Sequence, residues 1–128
     1  MPKERIVLVV DDDAGLSLLL GCVAQEHGLR VETARDGVEA VGKIPYYKPD
    51  LIILDLMLPR MSGYDILQML QSGGASKTPI LVVTGAFIDQ IRDRIAACPN
   101  VVDILQKPIK PERLQEAIIR ALEGSVTD

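Results

Sequence analysis

Aromatic side chains are scarce in this 128-residue chain, which has no Trp, one Phe and three Tyr. Since 48% of the residues are hydrophobic, the core must be aliphatic. That composition favours βα units over a sandwich, and it leaves too few rings for a base-stacking platform. Basic runs are missing as well. The formal net charge is −4, so direct contact of this domain with nucleic acid is not expected. Long apolar runs are also absent, and the longest fall far short of the roughly 20 residues of a membrane span. No charged segment precedes a hydrophobic one at the start, so no signal peptide is read and a cytoplasmic location is expected. Cys22 and Cys98 are isolated and have neither metal-ligand nor redox spacing. They read as two buried thiols in a reducing compartment.

What the chain does contain is an alternation, repeated five times, of strand and helix signals. The length suits one domain, large enough to fold without disulfides or a structural metal. Strands are expected at Arg5–Val10, Arg30–Thr33, Leu51–Leu54, Pro79–Val83 and Asn100–Leu105. The second is short and polar, so it reads as an edge. The first helix is expected over Ala14–His27, with Leu16, Leu19, Leu20 and Val23 inward and Gly28 as its stop. Asp36 reads as the cap of the second, with Val38, Val41 and Ile44 inward and Pro45 already in the following loop with Tyr46-Tyr47. The third helix covers about Gly63–Gln71 and carries Ile66, Leu67 and Leu70, with Ser72-Gly73-Gly74 ending it. The fourth covers Phe87–Cys98, with Ile88, Ile91 and Ile95 on one face. Pro111 opens the last, with Leu114, Ile118, Ala121 and Leu122 inward. Five βα units joined by short connections imply an α/β fold, a parallel sheet with helices on both faces. The domain is read as residues 1–123, with 124–128 a polar tail or the start of a linker.

The strand ends carry the chemistry. Leu51-Ile52-Ile53-Leu54 runs into Asp55, and Ile6-Val7-Leu8-Val9-Val10 runs into Asp11-Asp12-Asp13. Continuous apolar runs mark buried parallel strands, and ligand sites of open α/β sheets lie at the carboxyl ends of such strands. Thr84 and Lys107 end two further strands. Two carboxylates about 4 Å apart repel by roughly 4 kcal/mol at an effective dielectric near 20. An acidic cluster therefore raises its own pKa values or binds a divalent cation. An all-oxygen ligand set with few protein contacts suits Mg²⁺. Thr84 offers a hydroxyl donor and Lys107 a point charge for anionic oxygens. Acid, metal, hydroxyl and ammonium together suit phosphoryl transfer to a carboxylate.

Four motifs carry a resemblance that covers essentially the whole chain. They are Val9-Val10-Asp11-Asp12, the run from Asp55 through Leu56-Met57-Leu58-Pro59-Arg60-Met61-Ser62 to Gly63, Val83-Thr84-Gly85-Ala86, and Lys107-Pro108. In order and spacing the chain resembles the receiver domains of two-component response regulators, close to the chemotaxis-regulator type. The resemblance implies a flavodoxin-like doubly wound (βα)5 fold with strand order 2-1-3-4-5. It implies Asp55 as phosphoacceptor, served by a histidine kinase or a histidine phosphotransfer protein. Mg²⁺ would be held by Asp11, Asp12, Asp55 and the backbone carbonyl of Met57. Thr84 would be the switch hydroxyl and Lys107 the lysine that pairs with the phosphoryl group, in a Lys107–Pro108 bond that is often cis. Asp13 reads as a helix cap. The domain would act on its own phosphorylation and dephosphorylation rather than as a turnover enzyme.

The chain departs from the family at Ile104, where an aromatic residue is common. Isoleucine is stiff at χ1 and has no hydroxyl, but it is not part of the acid–metal–hydroxyl–ammonium set. In similar proteins the face of the fourth helix, fifth strand and fifth helix serves partners and homodimers. Here that face includes Arg92, Asp93, Arg94, Asp103, Lys110, Glu112 and Arg113. His27, the only histidine, is read as a cation near a helix C-terminus. Two other functions compete. Asp11-Asp12-Asp13 contains the Asp-x-Asp of haloacid-dehalogenase-type phosphatases, and Ile104 alone would suit a degenerate receiver used only for docking.

Overall fold

Strands and helices alternate without exception along the computed structural model, which describes residues 4–58, 62–72, 77–85, 88–95 and 98–126. In chain order these are β1 (Ile6–Val10), α1 (Ala14–Glu26), β2 (Arg30–Ala34), α2 (Gly37–Tyr47), β3 (Leu51–Asp55), α3 (Gly63–Ser72), β4 (Ile80–Thr84), α4 (Ile88–Ile95), β5 (Val101–Gln106) and α5 (Pro111–Val126). The strands form one parallel sheet in the order β2-β1-β3-β4-β5. Fold class and strand order are those expected from the sequence.

The sheet divides the core by the alternation of side chains along each strand. Val7 and Val9 of β1, with Ile53, Leu81 and Val83, pack against Leu20 and Val23 of α1 and Leu114 and Ile118 of α5. Leu8 and Val10, with Ile52, Leu54 and Val82, pack against Ile44 of α2, Ile66, Leu67 and Leu70 of α3, and Ile95 of α4. All five residues of β3 are buried, and so are all five of β4. Both faces of these strands are covered, which is why they read as unbroken apolar runs. β2 is the half-exposed edge. Lys43 Nζ donates to the Thr33 carbonyl there, so a cation covers part of an open edge.

Helix ends follow their local chemistry. Asp13 caps α1 by accepting from Leu16 N, and Asp36 caps α2 by accepting from Glu39 N. Gly28, at φ 74, ends α1. Its N–H donates to the Gln25 carbonyl and Leu29 N–H to that of Ala24, which satisfies the last carbonyls in the left-handed turn that glycine favours.

Several expectations are corrected. Pro45 lies inside α2, not in the loop after it. It stands in the last turn, where only the bond to the Val41 carbonyl is forgone, and the helix then closes at Lys48 through a left-handed cap. Tyr46 and Tyr47 therefore end a helix; their rings pack edge to face at 4.8 Å. Val38 points outward at 54% exposure; Gly37, Ala40 and Ile44 make the inward stripe, at the three- and four-residue spacing of one helix face. Leu19 is also exposed, at 37%. Cys22 is exposed and Cys98 only half-buried, so neither is the buried thiol expected. α5 continues through Val126, so the polar segment begins as helix. Gly73, Gly74 and Phe87 lie outside the described residues, as do Pro59, Arg60, Met61 and Ala86 of the motifs.

Candidate functional site

β1 and β3 are neighbours in the sheet, and each delivers a carboxylate at its carboxyl end. Asp55 is the last residue of β3 and is 2% exposed. Its Oδ1 accepts from Met57 N at 2.9 Å, and its Oδ2 accepts from Lys107 Nζ at 3.1 Å. Asp11 directly follows β1 and is equally buried. Its Oδ1 accepts from Asp13 N at 2.8 Å. Its Oδ2 lies 3.2 Å from Lys107 Nζ, an ion pair not aligned as a hydrogen bond, so this buried oxygen is left without a hydrogen-bond donor. Asp12 is exposed. Asp11, Asp12 and Asp55 each present a ligand oxygen within 4.8 Å of the others.

The electrostatics follow from this crowding. Burial pushes the Asp11 carboxyl above its ordinary value, and the Asp55 charge adds to the rise; the Asp13 N–H and Lys107 oppose it. Burial alone would pull Lys107 down. The hydrogen bond and charge of Asp55, with the charge of Asp11, outweigh that and hold the ammonium above its ordinary value. One cation thus stands between two buried anions, 3.1 Å from Asp55 and 3.2 Å from Asp11. A hard divalent cation fits such a set, since it needs oxygen ligands and relieves like-charge repulsion.

Thr84 ends β4 and is fully buried. Its carbonyl accepts from Lys107 N at 2.8 Å, which ties the hydroxyl-bearing strand to the lysine. The Lys107–Pro108 bond is cis, as the resemblance implied. Asp13 caps α1 through its side chain while its N–H donates to Asp11 Oδ1. Met57 turns its side chain outward at 61% exposure while its backbone stays at the site. Ile104 pairs in register with Val82 and packs against the α2–α3–α4 side of the core. Of the residues expected on the α4–β5–α5 face, Arg92, Asp103 and Arg113 line one groove of about 570 Å³, with Arg113 paired to Asp103 at 2.9 Å; Asp93, Lys110 and Glu112 are exposed, and Arg94 lies instead over the Tyr64 ring of α3.

Two contributors escaped sequence reasoning. Ser17 Oγ donates to the Asp11 carbonyl at 3.3 Å. A lone Ser in a helix gives no signal for that. Gly63 packs so closely on the end of β3 that an added Cβ would lie 2.5 Å from Leu56 Cα and 2.7 Å from the Asp55 carbonyl oxygen. Its place in the motif run was visible, but its reason is a contact between segments. His27 caps the far end of α1, with Nε2 buried and without a hydrogen-bond partner among the described residues. A helix of 13 residues separates it from Asp13, about 20 Å of rise, so it takes no part in the acidic site.

The family model of the response regulator receiver domain matches residues 7–119. The chain belongs to that family. Among curated proteins it is 39% identical over 117 residues to the response regulator MprA of Mycobacterium sp. (strain KMS), covering 91% of this chain and 49% of that protein. It is 37% identical over 112 residues to the DNA-binding response regulator MtrA of Mycobacterium tuberculosis (strain ATCC 25618 / H37Rv), covering 88% of this chain and 47% of the other. The chain thus spans about half the length of the curated relatives it matches. Among solved structures, the chemotaxis response regulator CheY4 of Vibrio cholerae superposes with a TM-score of 0.83 at 31% identity, over 93% of this chain and 99% of that one. A response regulator receiver domain of two-component signalling is the function these relatives share, and neither the phosphatase nor the docking-only alternative is favoured.

Proposed function

We propose that Asp55 is the phosphoacceptor of this receiver domain. The observation that carries the reading is Lys107 Nζ standing 3.1 Å from Asp55 and 3.2 Å from Asp11, beside a third carboxylate from Asp12. An Asp55 carboxylate oxygen attacks phosphorus and an O–P bond forms. The P–N bond of a phosphohistidine, or the P–O bond of a small acyl phosphate, breaks. The donor leaves as imidazole, which takes a proton from solvent, or as carboxylate. Asp11, Asp12, Asp55 and the Met57 carbonyl would hold Mg²⁺, which supplies neutralisation of the phosphoryl oxygens. Lys107 follows the new negative charge. The Thr84 hydroxyl donates to a phosphoryl oxygen once its side chain turns toward it. Hydrolysis of the acyl phosphate returns the carboxylate, so the phosphoryl group that the domain hydrolyses is the one carried on its own Asp55.

A histidine kinase or histidine phosphotransfer protein is the donor under this reading, with the exchange in the cytoplasm. The α4–β5–α5 face serves a partner or a second copy. The test is incubation with Mg²⁺ and acetyl phosphate, followed by intact mass. A species heavier by one phosphoryl group is expected. If none forms, and beryllofluoride with Mg²⁺ leaves the amide spectrum unchanged, the reading is lost.

Mg²⁺ affinity gives an independent measurement. Asp12→Asn removes a charge that the described contacts assign to no ion pair or cap. It is expected to weaken Mg²⁺ binding by about 10-fold or more while leaving the melting temperature unchanged. The basis is that carboxylate charge dominates hard-cation affinity. Isothermal titration with MgCl₂ reads this directly, and unaltered affinity would place the cation elsewhere.

A further inference from the structure

α4 follows the site residue Thr84 closely in the chain. Among its described side chains Ile95 is buried, while Asp89, Arg92, Asp93 and Arg94 are exposed. α4 is the next element after the strand that ends in Thr84, so a movement of that residue reaches it directly through the chain. One contact outside the core opposes such displacement. The Arg94 guanidinium carbon lies 3.7 Å from the centroid of the Tyr64 ring, well inside the roughly 6 Å range of cation–π attraction.

Tyr64 is a firm anchor for this contact. It stands in the first turn of α3, half-buried against the core formed with Ile66, Ile95 and Ile104. The residue before it, Gly63, donates its N–H to the Leu56 carbonyl at 3.2 Å, and the approach there leaves no room for a Cβ. The first turn of α3 therefore rests on the backbone that carries Asp55. α4 is consequently tied to the acceptor at both ends, through Thr84 and Gly85 before it and through Arg94 on Tyr64 in its last turn. An arginine in a last turn also suits the helix dipole, but the dipole does not require stacking on a ring.

We infer that the Arg94–Tyr64 stack is a latch joining the last turn of α4 to the acceptor strand, and that it sets how readily α4 responds to a phosphoryl group. The inference rests on the reading of Asp55 as phosphoacceptor. The stack belongs to the arrangement in which Lys107 grips the Asp55 carboxylate, and a phosphoryl group on that carboxylate breaks this grip. The latch thus favours the carboxylate form, and loosening it favours the phosphoryl form.

The test is a beryllofluoride titration of the full chain with Mg²⁺, followed by the amide signals of Arg92–Ile95. Tyr64→Leu keeps apolar volume and loses the ring face. Arg94→Gln removes the cation from an exposed position and leaves the core untouched, so it reports even if Tyr64→Leu loosens α3. Each is expected to lower the half-saturating beryllofluoride concentration by roughly two- to fivefold, the range of an exposed cation–π pair. The double variant should match the singles, since both remove one interaction. Tyr64→Phe should match the wild type. Half-saturation that is unchanged or raised in Arg94→Gln, or effects that add in the double variant, overturns the latch while the acceptor reading stands. A wild-type chain that does not respond to beryllofluoride overturns the acceptor reading and the latch with it.

Discussion

Asp55→Asn is expected to end phosphorylation while the domain stays folded. Asparagine keeps the shape of the side chain, and its carbonyl oxygen still accepts from Met57 N as Asp55 Oδ1 does. It has no anionic oxygen to attack phosphorus. The fold should tolerate the change because two effects oppose each other. Removing the Asp55 charge relieves Asp11, whose pKa that charge helps to raise. It also takes from Lys107 the partner at 3.1 Å. Stability should therefore stay within about 1.5–3 kcal/mol of the wild type, the scale of one charge-assisted hydrogen bond. Intact mass after acetyl phosphate treatment and a thermal melt report the two parts separately. A full phosphoryl increment in Asp55→Asn would move the acceptor to another carboxylate, with Asp11 and Asp12 next in line.

Gly63→Ala is expected to be among the most damaging single-methyl changes in the chain. The added Cβ would meet Leu56 Cα at 2.5 Å and the Asp55 carbonyl oxygen at 2.7 Å. These are backbone atoms of a fully buried strand and its exit, so no flexible side chain can swing away. Either α3 lifts, which opens the packing of Ile66, Leu67 and Leu70, or the acceptor backbone shifts. A cost of about 3 kcal/mol follows, at the upper end of ordinary overpacking, and it should appear as a lower urea midpoint with little change in slope. Phosphorylation should slow as well, since the shift falls on the residue that carries the nucleophile. A melt like that of the wild type would mean that α3 can pivot without strain.

These two positions differ in how far they could be read from residue order. Asp55 was legible because burial on both faces forces an unbroken apolar run, and a carboxylate ending such a run is conspicuous. The same logic located Asp11 and Thr84, whereas Lys107 follows a strand that is only partly buried and stood out only beside the other three strand ends. Asp13 and Asp36 as caps, and Gly28 as a stop, were legible because a helix end depends on two or three local groups. Pro45, Val38 and Leu19 were misjudged for the opposite reason. Which turn of a helix tolerates proline, and which of two apolar residues faces inward, depends on what the helix lies against. Cys22 is exposed although cysteine usually lies inside, because it falls on the side of α1 that faces away from the sheet.

The order of apolar runs and turn residues was enough to specify an α/β sheet and to name the polar groups at its strand ends, since both are set by local periodicity. Folding brought Asp11 and Asp55 under one ammonium, pressed Gly63 against the end of β3, and laid Arg94 on Tyr64. Each of these is a contact between segments far apart in the chain or joined by a loop. Its distance depends on strand register and helix docking, which no local pattern encodes.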